Sequence, residues 1–168
     1  KPLGTLDPYK RVEAETMAFS HGVKTEQNTQ DGVYVTEIHN GDYIKVREVN
    51  FSREPRLFKA SVSSGMRGGT IEVRLDSIKG KKIAEIRTRN TGGWNNWTSI
   101  KSDVEKGVGG IHDVYFVFVG EKGVKLMNLN WWQFTDGSEM RKDKAGTIPS
   151  ETNLEGCMSP SLDRENRA

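Results

Sequence analysis

The amino-acid sequence predicts an all-β fold, a β-sandwich followed by a polar extension. Short segments of alternating polar and apolar residues recur from the start of the chain to about residue 134, with turn residues between them. No window of helical length keeps a 3.6-residue hydrophobic period. The 168 residues, 34% of them hydrophobic and 18 of them glycine, suit one turn-rich domain plus some extra chain.

The segments that predict strands follow one another along the chain. They are residues 12–17, 33–38, 43–49, 58–62, 71–75, 83–88, 114–119 and 126–134. Asn40-Gly41-Asp42 is a tight-turn signal that predicts a hairpin with the strand after it. Residues 114–119 are apolar at every position, which predicts a central strand covered on both faces. Within the last segment, one of Trp131 and Trp132 must point inward.

The composition changes after Phe134. Residues 135–168 are polar and charged and have no hydrophobic period, which predicts a disordered C-terminal tail or a truncated linker. The single cysteine, Cys157, excludes an intramolecular disulfide, and we expect its thiol to be exposed and incidental. Because the chain begins Lys1-Pro2 rather than with methionine, we expect it to be part of a longer protein.

The charge balance and hydropathy argue against two classes of partner. A net charge of +2 is too small to indicate binding to nucleic acid or to an acidic membrane surface. No window approaches the roughly 20 apolar residues of a membrane span. We therefore expect neither nucleic acid nor a membrane as a partner.

Residues 91–98 are the most informative segment of the chain. Trp94 lies there between two glycines and two asparagines, a composition that predicts a loop. Loops on a rigid scaffold often carry binding residues, and an exposed indole is costly unless something covers it. A flat apolar ring beside amide side chains suits a sugar ring. The alternative is that Trp94 folds back into a small core.

Six motifs occur in an order and at spacings that resemble a known family. They are Val12-Glu13-Ala14-Glu15, Gly32-Val33-Tyr34-Val35, Asn40-Gly41-Asp42-Tyr43-Ile44, Thr70-Ile71-Glu72-Val73-Arg74-Leu75-Asp76, Thr91-Gly92-Gly93-Trp94 and Asn128-Leu129-Asn130-Trp131-Trp132-Gln133-Phe134. The chain resembles a family 6 carbohydrate-binding module, similar to those appended to glycoside hydrolases that degrade xylan and arabinoxylan. The resemblance covers residues 9–134, and residues 135–168 have no counterpart in it.

The resemblance implies a galactose-binding-like jelly-roll sandwich that binds β-linked polysaccharide and catalyses no reaction. In the family a tyrosine and a tryptophan stack on opposite faces of one sugar ring, and an asparagine hydrogen-bonds its hydroxyls. By motif these residues are Tyr34, Trp94 and Asn128. We expect a monomeric, extracellular module, covalently linked to the catalytic domain of a secreted glycoside hydrolase, that targets plant cell-wall xylan.

Each aromatic or amide residue also has a structural interpretation. Tyr34 lies in an alternating strand and could belong to the core, and Asn128 could cap a turn. Trp97 is expected to be a core residue rather than a ligand contact, and Trp131 and Trp132 are expected to be structural.

Glu13 and Glu15 form a second candidate site. At positions i and i+2 of a strand their carboxylates point to the same face and repel, and a hard cation with oxygen ligands would relieve that repulsion. The resemblance implies a structural Ca²⁺ here, completed by backbone carbonyls and a carboxylate from the last strand. This chain has Asn130 at that carboxylate position, which lowers the expected affinity. The alternative is two solvated glutamates on an edge strand.

Some family members carry a second sugar site built around a tryptophan on the concave face. The corresponding residues 36–40 contain His39 and no tryptophan, so we expect no working second site. Glu72 and Arg74 are expected to form a solvated surface or an ion pair.

Three other functions compete with sugar binding by a cell-wall module. An enzyme is disfavoured because the three histidines lie in separate contexts without a nucleophile motif, although the chain could be a fragment of a xylosidase or arabinofuranosidase. Aromatic residues could stack the bases of single-stranded nucleic acid, but the basic residues are mixed with nearly as many acids. A cell-surface adhesion domain of the same fold would bind other glycans.

Overall fold

A computed structural model describes residues 4–138, and within them eleven strands form two antiparallel sheets. The strands are β1 (Val12–Glu13), β2 (Phe19–His21), β3 (Lys24–Asn28), β4 (Gly32–Ile38), β5 (Tyr43–Phe51), β6 (Leu57–Ser64), β7 (Gly69–Leu75), β8 (Lys82–Thr88), β9 (Gly93–Asp103), β10 (Gly110–Val119) and β11 (Met127–Thr135). In this part of the chain no helix is long and apolar enough to cross a membrane.

The last strand lies in the middle of its sheet. One sheet has the order β3-β4-β11-β6-β9 with β1 also paired to β11, and the other has the order β2-β5-β10-β7-β8. Strands that follow one another along the chain often lie in different sheets, so the connections cross between the two layers. The jelly-roll β-sandwich predicted from the sequence is confirmed.

Aromatic side chains fill the space between the sheets. Phe58 and Phe134 from one sheet pack with Phe51 and Phe116 from the other, and Trp132 completes the cluster. The ring centroids lie 5.0–5.9 Å apart, and each such pair stabilises a fold by about 0.5–1.5 kcal/mol beyond its buried area. Of the two adjacent tryptophans it is Trp132 that points inward, whereas Trp131 is half-buried beneath the Arg11 guanidinium.

The strand predictions differ from the structure at β1, β2, β3 and β10. The alternation at residues 12–17 gives only β1, because the Thr16 N–H donates to the Glu13 carbonyl in a turn that ends the strand. Strands β2 and β3 were missed because they lie at sheet edges, where the core does not demand apolar alternation. β10 is central as predicted, but Tyr115 and Val117 on its outer face are only half-buried.

The predictions for residues 139–168, including the exposure of Cys157, lie outside the described residues. The Glu72–Arg74 ion pair is confirmed, with 2.9 Å between a guanidinium nitrogen and a carboxylate oxygen.

Candidate functional site

The segment that carries Trp94 is a wide bulge in an edge strand rather than a free loop. Gly93 of β9 pairs with Ser64 of β6, and the next paired residue, Thr98, lies opposite Val62. Residues 94–97 therefore face a single residue of β6 and arch out of the ladder. The loop predicted at residues 91–98 is corrected in this way: its glycines and asparagines permit the bulge, and the pairing on either side fixes its position.

A row of hydrogen bonds from buried side chains holds the bulge. The Asn128 side-chain amide donates to the Trp94 carbonyl over 2.8 Å, and the Ser63 hydroxyl donates to the same carbonyl. The Thr36 hydroxyl donates to the Asn128 side-chain carbonyl over 2.7 Å. Asn128 is only 1% exposed, so both atoms of its amide serve the protein itself. The structure thus gives Asn128 a positioning role beneath Trp94, and its predicted contact with sugar stays a prediction.

The Trp94 ring lies outside the core, between a glycine and a lysine. A Cβ added at Gly65 would lie 2.7 Å from Trp94 Nε1, so the ring rests directly on the Gly65 backbone. The Lys125 ammonium lies 4.3 Å from the Trp94 ring centroid. A cation–π contact at an exposed site contributes about 0.5–1 kcal/mol, so a ligand that stacks on this face can displace Lys125 at modest cost.

The structure brings Tyr34 into contact with Trp97. The two ring centroids are 5.3 Å apart at an interplanar angle of 70°, an edge-to-face arrangement. The Tyr34 hydroxyl donates to Glu26 Oε1 over 2.7 Å, and this hydrogen bond, aided by burial, raises the pKa of Tyr34. Tyr34 is 5% exposed, so little of its ring is open to solvent in this arrangement.

Trp97 is not the core residue that the sequence predicts. It is half-buried, lies outside the hydrophobic core and has an indole nitrogen that is buried without a partner among residues 4–138. A buried indole N–H without an acceptor is costly, and a ligand oxygen could accept from it. The sequence contains one indication that Trp97 could contact a ligand: it lies three residues after Trp94, in the segment that forms the bulge.

The turn before β4 ties the bulge to the neighbouring strands. The Asp31 carboxylate accepts hydrogen bonds from the side chains of Asn28 and Asn95, over 3.0 and 2.9 Å. The Asp31 backbone carbonyl accepts a longer bond, 3.4 Å, from the Asn130 side chain. Asp31 therefore connects the bulge with Asn130 of β11, which is one of the predicted cation ligands.

The predicted cation ligands lie in one region but are not assembled into a complete site. Glu15 Oε1 is buried and has no hydrogen-bond partner among residues 4–138, which suits an oxygen that serves as a cation ligand. Glu13, in contrast, pairs with Arg11 over 2.9 Å, and its side chain is 43% exposed. Asn130 lies beside this segment, since its carbonyl accepts from the Ala14 N–H. Within residues 4–138, no three His, Cys, Asp or Glu side chains converge to hold a metal ion.

Comparison with known proteins identifies the family. The model of the family 6 carbohydrate-binding modules matches residues 13–136. The chain belongs to this family. It is a non-catalytic carbohydrate-binding module, and its relatives include parts of glycoside hydrolases.

Two relatives are much longer than this module. An arabinoxylan arabinofuranohydrolase of Paenibacillus polymyxa is 41% identical over 170 residues, which cover 96% of this chain and 26% of the relative. The enzyme of the same name from Bacillus subtilis is 43% identical over 139 residues, covering 79% of this chain and 27% of the relative. The chain thus spans about a quarter of the length of the relatives it matches.

Solved structures of isolated family 6 modules share the fold. A module from Clostridium cellulolyticum in complex with xylose has a TM-score of 0.74 and 41% identity, over 77% of this chain and 99% of that one. A module from Bacillus halodurans that binds β-1,3-glucan has a TM-score of 0.75 and 34% identity, over 78% of this chain and 98% of that one.

Proposed function

We propose that this module binds xylan, or a closely related β-linked plant cell-wall polysaccharide, at the bulge of β9. The observation that carries the proposal is the Trp94 ring, which lies outside the core while buried hydrogen bonds from Asn128 and Ser63 fix its backbone. The xylose complex of a module 41% identical to this one supports a pentose ligand.

Tyr34 and Trp94 are the proposed walls of the sugar site. If each aromatic face removes about 50 Å² of sugar C–H surface from water, the pair contributes roughly 2–3 kcal/mol. Hydrogen bonds from Asn128 and its neighbours would each add about 1 kcal/mol, and the entropy of association opposes the sum. Because Tyr34 is 5% exposed, stacking on it requires neighbouring side chains to move, and Trp97 is the aromatic residue in contact with its ring. The expected affinity is weak, about ten micromolar to millimolar.

A panel of oligosaccharides tests the proposed ligand. Titration calorimetry of the full chain with xylohexaose, cellohexaose and laminarihexaose should show tightest binding to xylohexaose. Tighter binding to laminarihexaose would contradict the xylan proposal and place this module with β-1,3-glucan binders. No heat from any of the three would contradict recognition of β-linked plant polysaccharides altogether.

We also propose that the module is monomeric and extracellular, and that it anchors a covalently linked glycoside hydrolase domain to its polysaccharide. Two relatives that contain a matching segment are arabinoxylan arabinofuranohydrolases, which supports the proposal. The reading frame around this sequence should encode a hydrolase domain and an export signal. A frame that encodes an adhesion protein instead would contradict this arrangement.

A structural Ca²⁺ is part of the proposal. Glu15, with its unpartnered buried oxygen, and the side-chain oxygen of Asn130 would be ligands together with backbone carbonyls. Glu13 would join them on leaving Arg11. The ion would supply positive charge between carboxylates and stiffen the junction of β1 with β11.

A further inference from the structure

Three arginines beside the proposed sugar site have no partner in the part of the chain that the structure describes. Arg67, Arg87 and Arg89 are exposed, and no residue within 4–138 forms a hydrogen bond or ion pair with their guanidinium groups. We call these three residues the arginine cluster. The arginines that do pair with a carboxylate lie elsewhere on the module: Arg11, Arg47, Arg53 and Arg74.

The arginine cluster lines two surface cavities that share Arg87. One has a volume of about 340 Å³ and includes Arg67, Met66 and Val124 in its lining. The other has a volume of about 300 Å³ and includes Arg89 in its lining. Each volume is near the lower limit of small-molecule sites, the size of a single sugar substituent rather than of a chain.

Both cavities adjoin the bulge that carries Trp94. The residues next to Met66 and Val124 in sequence are Gly65 and Lys125, which contact the Trp94 ring. The second cavity is lined by Thr91 and Thr98, which flank the bulge on either side. A group attached to a sugar chain that stacks on Trp94 would therefore reach the arginine cluster.

The charge of the lining selects an anion. Among residues 4–138, Glu121 is the one carboxylate that lines these cavities, and it forms no ion pair with the arginine cluster there. Unpaired guanidinium groups offer planar pairs of N–H donors that match a carboxylate. The hydroxyls of a neutral polysaccharide could accept hydrogen bonds from these groups but would leave their positive charge uncompensated.

We propose that the arginine cluster binds an acidic substituent of the polysaccharide, a uronic acid carried on the chain that stacks at Trp94. The proposal rests on the proposed function, because the chain at Trp94 brings the acid to the arginines. It defines the preferred substrate as an acidic, substituted xylan rather than an unsubstituted one.

Titration calorimetry of the full chain tests this with three matched ligands at about 20 mM NaCl. They are neutral xylotetraose, xylotetraose bearing one glucuronic acid, and the methyl ester of that acid. We expect the acid to bind about fivefold to tenfold more tightly than the ester. The preference should shrink at about 500 mM NaCl, where charges are screened.

Two variants assign the preference to the cluster. Arg87→Gln combined with Arg89→Gln should remove the preference for the acid and leave the affinity for neutral xylotetraose unchanged. Arg47→Gln, an exposed arginine beside Glu48 on β5, is the matched control and should retain the preference. Equal affinities of the wild type for acid and ester, or a preference that survives the double variant, would overturn the proposal.

The same titrations separate this proposal from the proposed function. Binding of neutral xylotetraose without preference for the acid refutes the arginine cluster alone. Binding of the acid without binding of the neutral chain would contradict the aromatic site, and with it the proposal that the acid is carried on a chain stacked at Trp94. A sulfated xylotetraose that binds as tightly as the uronic acid would overturn the choice of a carboxylate. Tighter binding of oligothymidylate would overturn the choice of a sugar.

Discussion

Trp94 keeps its position because the residue beneath its ring has no side chain. The ring rests on the Gly65 backbone, and the Trp94 carbonyl accepts hydrogen bonds from Asn128 and Ser63. The ring and its backbone are thus held by different contacts. A change at Gly65 should displace the ring, and a change at Asn128 should loosen the backbone.

Gly65→Ala should therefore weaken sugar binding with little effect on stability. The added Cβ would lie 2.7 Å from Trp94 Nε1, and the backbone of Gly65 is not in the left-handed region. We expect about a tenfold loss of affinity for xylohexaose by calorimetry and a melting temperature close to that of the wild type. Gly109→Ala, where a Cβ meets no atom within 4 Å, is the control and should bind normally. Normal binding by Gly65→Ala would contradict the role of the Trp94 position.

Asn128→Ala should destabilise the fold as well as the site. The substitution removes the acceptor of the buried Thr36 hydroxyl and one donor to the Trp94 carbonyl. Loss of buried hydrogen-bond partners costs about 1–3 kcal/mol, which thermal unfolding should report as a lower melting temperature. Asn96→Ala removes an exposed amide that donates to Thr91 and should change stability by less than about 0.5 kcal/mol. Equal effects of the two substitutions would contradict the buried role of Asn128.

Sequence motifs singled out the candidate site residues but did not predict how deeply they are buried. Tyr34, Trp94 and Asn128 were predicted from the resemblance, yet the hydrogen bonds of Asn128 depend on β4, β9 and β11 placing Thr36, Trp94 and Asn128 at one level. The role of Gly65 and the contact of Lys125 could not be predicted, because each is far from Trp94 in sequence. Trp97 was misassigned because it directly precedes Thr98-Ser99-Ile100, where the chain was expected to return to the core, whereas the bulge extends to Trp97.

At the scale of elements, regular strands were predictable and irregular ones were not. β4 to β8 and β11 show apolar alternation in the sequence, because one face of each packs into the core, and β10 contains a continuous apolar run. β9 escaped prediction because its first part is the bulge, where side chains do not alternate between core and solvent.

Tyr9 holds the segment before β1 in place through its contacts with Arg53. The Tyr9 hydroxyl donates to the Arg53 carbonyl, and the Arg53 guanidinium lies 4.1 Å from the Tyr9 ring centroid and 2.7 Å from an Asp136 oxygen. Burial raises the pKa of Tyr9 to about 12, although the nearby Arg53 opposes the shift. This contact joins the N-terminal segment to the β5–β6 connection and to the end of β11.

Tyr9 should make stability fall at alkaline pH. The folded pKa of about 12 lies above the unfolded value of about 10, so its contribution is complete below pH 10 and is lost as pH rises towards 12. Thermal unfolding across that range should show a shallower decline for Tyr9→Phe than for the wild type. Tyr115→Phe, another tyrosine with a cation over its ring, should decline like the wild type. The same decline of melting temperature with pH in all three proteins would contradict the assignment of this pH dependence to Tyr9.

At the scale of the whole molecule, the two ligand-related regions share one sheet. The bulge of β9 and the Glu13–Glu15 segment lie on opposite sides of β11, and Asp31 connects Asn95 of the bulge with Asn130 of β11. A cation bound by Glu15 would thus stabilise the sheet that carries the proposed sugar site.

Calcium should raise the melting temperature of the full chain. Ligand that binds only the folded state stabilises it by about 2.7 kcal/mol at a hundredfold excess over its dissociation constant, a shift of several degrees. Addition of Ca²⁺ to chelator-treated protein should give this shift, and Mg²⁺ should give less. Glu15→Gln should lose the calcium-dependent rise in melting temperature, whereas Glu85→Gln, an exposed control on β8, should keep it. An unchanged shift in Glu15→Gln would refute the assigned ligand.

The most direct test of the sugar site compares two tryptophans in similar surroundings. Trp94 and Trp131 are both half-buried beneath a cation, Lys125 at 4.3 Å and Arg11 at 5.0 Å from the ring centroid. Titration calorimetry of the full chain with xylohexaose should show binding by the wild type and by Trp131→Ala. Trp94→Ala should lose at least about tenfold in affinity, because one stacking face is gone. Undiminished binding by Trp94→Ala would contradict a sugar site at the bulge.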